Sequence, residues 1–274
     1  MGGDRRALVL GGGGIAGIAW ETGLLAGLAD AGVDVTTADR IIGTSAGSTV
    51  GAQVTSGLPL AELLARQTDP ALQTPELAPG VATEELWERL QRIAESSGDA
   101  AEQRREIGAM ALAAATVPQE RRREVIAARL PVHEWPQRDL VVVAANALTG
   151  EPRLFGRDSG VGLVDAVSAS CAVPGVWPCV TIDGVPYMDG GVRTMTNADL
   201  AAGFDRVLVL APMMEPGEPA WTKLDGVVEV IIADEASLAA FGSDPLDPAV
   251  RAPAAEAGYA QGRAVAARVA AMWP

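Results

Sequence analysis

"IIGTSAGST", residues 41–49, joins an apolar pair to a run of small residues in which Ser45 stands between Gly43 and Gly47. A sharp strand-to-helix turn pushes such a serine out of the backbone, and flanking glycines remove the side chains that would clash there. This is the G-x-S-x-G nucleophile elbow. The same letters suit an ordinary βα turn in which Thr44 or Ser45 caps a helix. The remainder of the chain must therefore supply what a nucleophilic serine needs. Either way, Arg40 to Ile42 ends at the turn as a short buried strand, and Val50, Val54 and Leu58 continue a helix that stops near Gly57 and Pro59.

Upstream, "RALVL", residues 6–10, is another apolar run that stops at glycine. It reads as a buried parallel strand. Ile18, Leu24, Leu25 and Leu28 follow on one helical face, with Gly32 placed to end the helix. The first sixty residues thus predict β-turn-α-β-turn-α, the pattern of a parallel sheet with helices on its faces. Residues 60–135 are charged and Ala-rich with helical periodicity and no strand signal, which predicts a helical insertion, a candidate lid or acyl-chain wall. Its charge runs, "EQRRE" and "QERRRE", read as solvated helix faces. Leu86, Trp87 and Leu90 form a stripe suited to core packing or to the wall of an acyl pocket. Strands return at Leu140–Ala145, at Leu154–Phe155, in a hairpin turning at Asp183-Gly184, and in residues 206–212 and 227–234. Helices are predicted over Val161–Ala172 and Ala254–Met272. The expected architecture is one α/β domain over residues 1–274, a three-layer α/β/α sandwich around a mostly parallel sheet.

Bulk properties narrow the function. Of 274 residues, 49% are hydrophobic, enough for a sizeable core, and the formal net charge is -14. A nucleic-acid partner would want a basic face, so none is expected. Contact with an anionic membrane surface is expected to be transient at most. Cys171 and Cys179 are too few for a disulfide framework and lack metal-site spacing, so reduced thiols, a cytoplasmic location and no metal are expected. The uncharged run from Ala7 to Trp20 is too short to span a bilayer, and its four successive glycines would break the helix of a signal peptide.

"LGGGGIAG" opens the first helix. Read as Gly12-x-Gly14-x-x-Gly17, it satisfies a dinucleotide fingerprint. That reading wants an acid at the end of the second strand. Asp34 and Asp39 fall nearby, but the strand itself runs into Gly-Thr-Ser. The same loop can cradle an oxyanion, since glycines let backbone N–H groups approach a small negative site. Beside a serine elbow it points to acyl transfer. The elbow then needs a base. His133, the single histidine, lies in "PVHEWP" and reads as a loop residue; Lys223, the single lysine, lies in a loop too. Among carboxylates Asp189 stands out, because it ends an apolar strand and precedes two glycines.

"GGGGIAG" (residues 11–17), "GTSAG" (43–47) and "MDGG" (188–191), in this order, resemble the patatin-like phospholipase family. "TGEPRLF" and the stretch from Gly162 through Val192 extend the likeness, which covers residues 6–60 and 138–212. The resemblance implies a Ser-Asp dyad that hydrolyses acyl esters of lipids without a cofactor: Ser45 the nucleophile, Asp189 the base, and the N–H groups around Gly12, Gly13 and Gly14 the oxyanion hole. Many members carry Arg before the last loop glycine, where this chain has Ala16. That loss of a cation favours neutral esters or thioesters. The rivals are a dinucleotide-binding oxidoreductase and a non-catalytic lipid- or protein-binding module on the same fold.

Overall fold

The computed structural model describes residues 4–78, 86, 88–90, 92, 93, 99–215 and 217–273. Its strands are β1 (Arg6–Leu10), β2 (Arg40–Thr44), β3 (Asp139–Asn146), β4 (Pro152–Phe155), β5 (Val180–Ile182), β6 (Val185–Asp189), β7 (Arg206–Ala211) and β8 (Val227–Ile232). They form one sheet in the order β5-β6-β3-β2-β1-β7-β8, with β4 added against β3. β3, β2, β1, β7 and β8 are mutually parallel; β4, β5 and β6 run antiparallel to their neighbours. The chain leaves β1 toward β2 and β3 on one side and fills the other side later with β7 and β8. The carboxyl end of β1 is therefore a topological switch point, where open α/β sheets form their ligand crevice.

The strands alternate apolar residues between two buried faces. Leu8, Leu10, Ile41 and Leu208 face a layer built from α1 (Gly14–Asp30), α2 (Ala46–Val54), α5 (Gln119–Arg129), α6 (Leu163–Ser170) and α8 (Arg251–Met272). Ala7, Val9, Ile42 and Val207 face the other side, against Ala198, Ala201, Phe204 and Ala220. That third layer is reduced to short 3₁₀ turns at Ala198–Ala201 and Ala220–Lys223. Three further helices are α3 (Leu60–Thr68), α4 (Ala100–Ala113) and α7 (Glu235–Phe241). Between β2 and β3 the described residues contain helices and no strand.

α1 is buried on every side, from Ile15 through Leu28, where periodicity predicted one buried face. The reason is α8, whose small residues let the two helix backbones touch. A Cβ on Gly23 or Gly27 of α1 would overlap the carbonyls of Ala255 and Tyr259; one on Gly258 or Gly262 of α8 would overlap those of Trp20 and Leu24. The Trp20 indole locks the pair by donating to Gln261 Oε1 at 2.9 Å and to Ser237 Oγ at 3.0 Å. Because α1 begins at the glycine loop, this packing also fixes the loop. Gly258→Val is expected to force the helices apart and cost about 3 kcal/mol or more, as overpacking against rigid backbone does. Urea denaturation reads this as a fall in midpoint, and an unchanged midpoint would refute the close packing.

Candidate active site

Ser45 sits between β2 and α2 with φ 53° and ψ −112°. Left-handed φ is costly for a residue with a Cβ, about 1–3 kcal/mol, so the surroundings must hold it. They do so through the backbone. The Ser45 N–H donates to Ser170 Oγ at 2.9 Å, and that hydroxyl donates on to Val143 O at 2.6 Å. The Ser45 carbonyl accepts from Ser48 Oγ at 2.7 Å and Cys171 Sγ at 3.2 Å. Both glycines of the pentapeptide are needed for close approach: a Cβ on Gly43 would meet α2 backbone, and one on Gly47 would overlap the Leu10 carbonyl. The side chain of Ser45 makes no hydrogen bond among the described residues and is 7% exposed.

Sheet register brings Asp189 to it. Thr44 pairs with Val143 on β3, and Asp189 of antiparallel β6 pairs with Ala144, the next residue along β3. Ser45 and Asp189 therefore flank β3 in one row. One carboxylate oxygen of Asp189 accepts from Gly191 N at 2.8 Å, while Oδ2 is buried and completes no hydrogen bond among the described residues. Burial pushes this carboxyl up to about 6, against the Ser45 hydroxyl and the Gly191 N–H, which hold it down. The Ser45 hydroxyl and the Gly191 N–H thus both act on the charged form of this carboxyl.

Asn197, itself at φ 52°, ties the two halves together. Its Nδ2 donates to Thr44 Oγ1 and to Gly190 O, both at 3.1 Å, bridging the residue before Ser45 and the residue after Asp189. Buried Glu215 secures the same loop by accepting from Thr196 N at 2.9 Å. Neither residue stands out in the sequence, since a single Asn or Glu in a loop carries no periodic or motif signal.

The glycine loop lies over the serine. Gly47 N donates to Gly11 O at 2.9 Å, and a Cβ on Gly12 would sit 3.7 Å from Ser45 Cβ. The three predicted oxyanion donors differ in availability. The Gly12 N–H donates to Met195 O at 2.7 Å, whereas the N–H groups of Gly13 and Gly14 have no acceptor among the described residues. Beneath the loop, Glu21 is fully buried with neither carboxylate oxygen hydrogen-bonded among the described residues, and desolvation pushes it well above the usual carboxylate range, against the Gly11 backbone.

Ser45 opens onto a pocket with about 330 Å³ of open volume, whose apolar lining includes Ile15, Ile18, Val173, Trp177 and Leu246. One wall is charged, contrary to the solvated face expected of "QERRRE". Arg121 and Arg123 do face outward, paired with Glu124 and Asp165. Arg122, between them, turns inward, pairs with Glu76 at 2.5 Å and lies 3.8 Å over the Trp177 ring. Leu86 packs in the cluster behind this wall with Met110, Val176 and Trp177, with Leu90 against its edge; Trp87 lies outside the described residues.

Other candidates lie elsewhere. His133 is exposed, its Nε2 on Ala127 O at 2.9 Å, and Lys223 is an exposed turn residue. Asp34 and Asp39 are exposed turn residues before the start of β2, at the opposite edge from the glycine loop, with Asp39 accepting from Arg6 N at 2.7 Å. No acid stands at the carboxyl end of β2, so the ribose partner of a dinucleotide site is missing. Among the described residues no group of three or more His, Cys, Asp or Glu side chains could hold a metal ion, and no helix is long and apolar enough to cross a membrane.

Fold and site together define a class: a mostly parallel α/β/α sheet that carries a serine on a strained elbow at its switch point, with a buried carboxylate in the same row. Comparison with known families narrows it, since the patatin-like phospholipase family matches residues 8–202. The chain belongs to the patatin-like phospholipase family, and that membership supports lipid hydrolase activity. Among solved structures, VipD from Legionella pneumophila is similar in fold, with a TM-score of 0.51 and 13% sequence identity over 97% of this chain and 67% of VipD. A comparison with curated proteins finds no match.

Proposed function

We propose that the chain is a serine acyl hydrolase that cleaves carboxylic esters of lipids through Ser45 and Asp189. The observation that carries this reading is a strained, buried serine beside a carboxylate whose Oδ2 completes no hydrogen bond among the described residues. In the first half-reaction Ser45 Oγ bonds to the ester carbonyl carbon while Asp189 takes the hydroxyl proton. The carbonyl electron pair moves onto oxygen, where the free N–H groups of Gly13 and Gly14 receive it. Gly12 adds a third donor only by releasing Met195 O. Collapse breaks the bond to the alcohol oxygen, which leaves with the proton from Asp189. Water then attacks the acyl-enzyme by the same route, releasing the acid and restoring Ser45. Glu76, Arg122 and Arg129, from the insertion between β2 and β3, act as a wall of the acyl pocket within a single catalytic domain.

A fluorophosphonate probe tests this directly, because only an activated serine displaces its fluoride. Peptide mapping is expected to find the phosphonyl group on Ser45, with labelling suppressed by a short-chain ester. An unlabelled Ser45 in folded protein would favour a binding module on the same fold.

A further inference from the structure

The charged wall beside Ser45 has an imbalance. Arg122 and Arg129, 5% and 7% exposed, share one carboxylate, that of Glu76, whose side chain is 1% exposed. Arg122 Nε is buried with no acceptor among the described residues. Both guanidiniums line the same pocket as Ser45. Burial draws each down to about 10, the signature of cations whose lost hydration is not repaid. Arg251 lies close enough to Arg129 to add to the positive field; it donates to the Thr74 carbonyl at 3.1 Å and has no carboxylate partner among the described residues. Burial, and next the Asp189 charge, push the Cys171 thiol up. The remaining carboxylate at the site, Asp189, is assigned to the proton of Ser45. In a chain of formal net charge -14, a pocket with surplus positive charge is not a by-product of composition.

We propose that Arg122 and Arg129 form an anion subsite beside Ser45, so that the preferred substrates are esters carrying a second, negatively charged oxygen group, carboxylate or phosphate, on the part held in this pocket. The subsite rests on the assignment of Ser45 as the nucleophile. Arg122 Cζ lies 3.8 Å over the Trp177 ring, and a guanidinium whose Nε has no acceptor among the described residues can still pair with either anion. The Glu76 carboxylate aligns the two cations without neutralising both. This runs against the preference for uncharged esters expected from Ala16: positive charge absent from the glycine loop enters the site from α5 instead.

Three p-nitrophenyl esters with the same six-methylene spacer test it: the hydrogen suberate, its ω-methyl ester, and the ω-phosphonoheptanoate. The wild-type protein is expected to favour a charged ester over the methyl-capped one by roughly 10- to 100-fold in kcat/KM, mostly through KM, the scale of one charge-assisted hydrogen bond. The better of the two charged esters identifies the anion as carboxylate or phosphate. In Arg122→Gln the preference is expected to fall toward unity, with part of it kept in Arg122→Lys. Calorimetric binding of the intact esters to Ser45→Ala needs no turnover and is expected to show the same charge preference. Equal affinity and equal kcat/KM for charged and capped esters would overturn the subsite while leaving the hydrolase intact. Charge-selective binding without cleavage of any ester would do the reverse.

Discussion

Ser45→Ala is expected to reduce cleavage of p-nitrophenyl butyrate by at least about 10³-fold, down to what the glycine loop and pocket provide alone. The same variant is expected to fold normally. The Ser45 hydroxyl makes no hydrogen bond among the described residues, and every bond that pins the elbow uses its backbone N–H or carbonyl. Alanine keeps all of these and suffers the same left-handed strain, so stability should change by about 0.5 kcal/mol or less. Activity and melting temperature must therefore separate. Wild-type turnover in the variant would remove Ser45 from the chemistry. A collapse of both quantities would mean that the hydroxyl holds the elbow, and the assignment would lose its support.

Asp189→Asn is the second large effect, and it has opposite signs on activity and stability. Asparagine keeps the shape and can still accept from Gly191 N–H, but it cannot take the Ser45 proton. A loss of about 10³-fold in kcat/KM is expected. In the wild type the base must be ionised, so kcat/KM should rise with pH through about 6 and then level off; the variant should lose that limb. The stability argument follows from the same burial. A carboxyl that titrates near 3.8 in the unfolded chain and about 6 in the folded one binds its proton more tightly when folded. Its stabilising contribution is full below pH 3.8 and is lost as pH rises through about 6. Above that pH the folded protein carries a buried charge at a cost of about 3 kcal/mol. Asp189→Asn should be more stable than wild type by about that amount at neutral pH, with the gap closing in acid. Denaturation at several pH values checks it. A pH-independent difference would mean that Asp189 is not a buried carboxyl with a raised pKa.

Much of this was legible before any coordinates. β1 spans the very residues of "RALVL", and the Asp183-Gly184 turn carries positive φ at both residues, 51° and 79°. The parallel layout followed from apolar runs broken by glycine. Ser45, Asp189 and the glycine loop were all marked by local sequence, because a strained turn needs neighbours without side chains. What was not legible depends on contact between distant segments. Nothing local marks the glycines at 23, 27, 258 and 262, whose role arises only where two helix backbones meet. Arg122 reads as a solvated charge, since its neighbours Arg121 and Arg123 are solvated. Its inward turn needs Glu76 from the α3–α4 connection and Trp177 from beyond α6.

The sequence by itself determined the strand and helix order, the elbow, the glycine loop and the two candidate reactive residues, because backbone conformation at each is dictated by side chains a few positions away. Only the tertiary structure decided that Thr44 and Asp189 pair with adjacent residues of β3, that Met195 occupies the Gly12 N–H, and that two arginines line the pocket. Those facts turn on burial and register, which arise when surfaces far apart in the chain exclude water together.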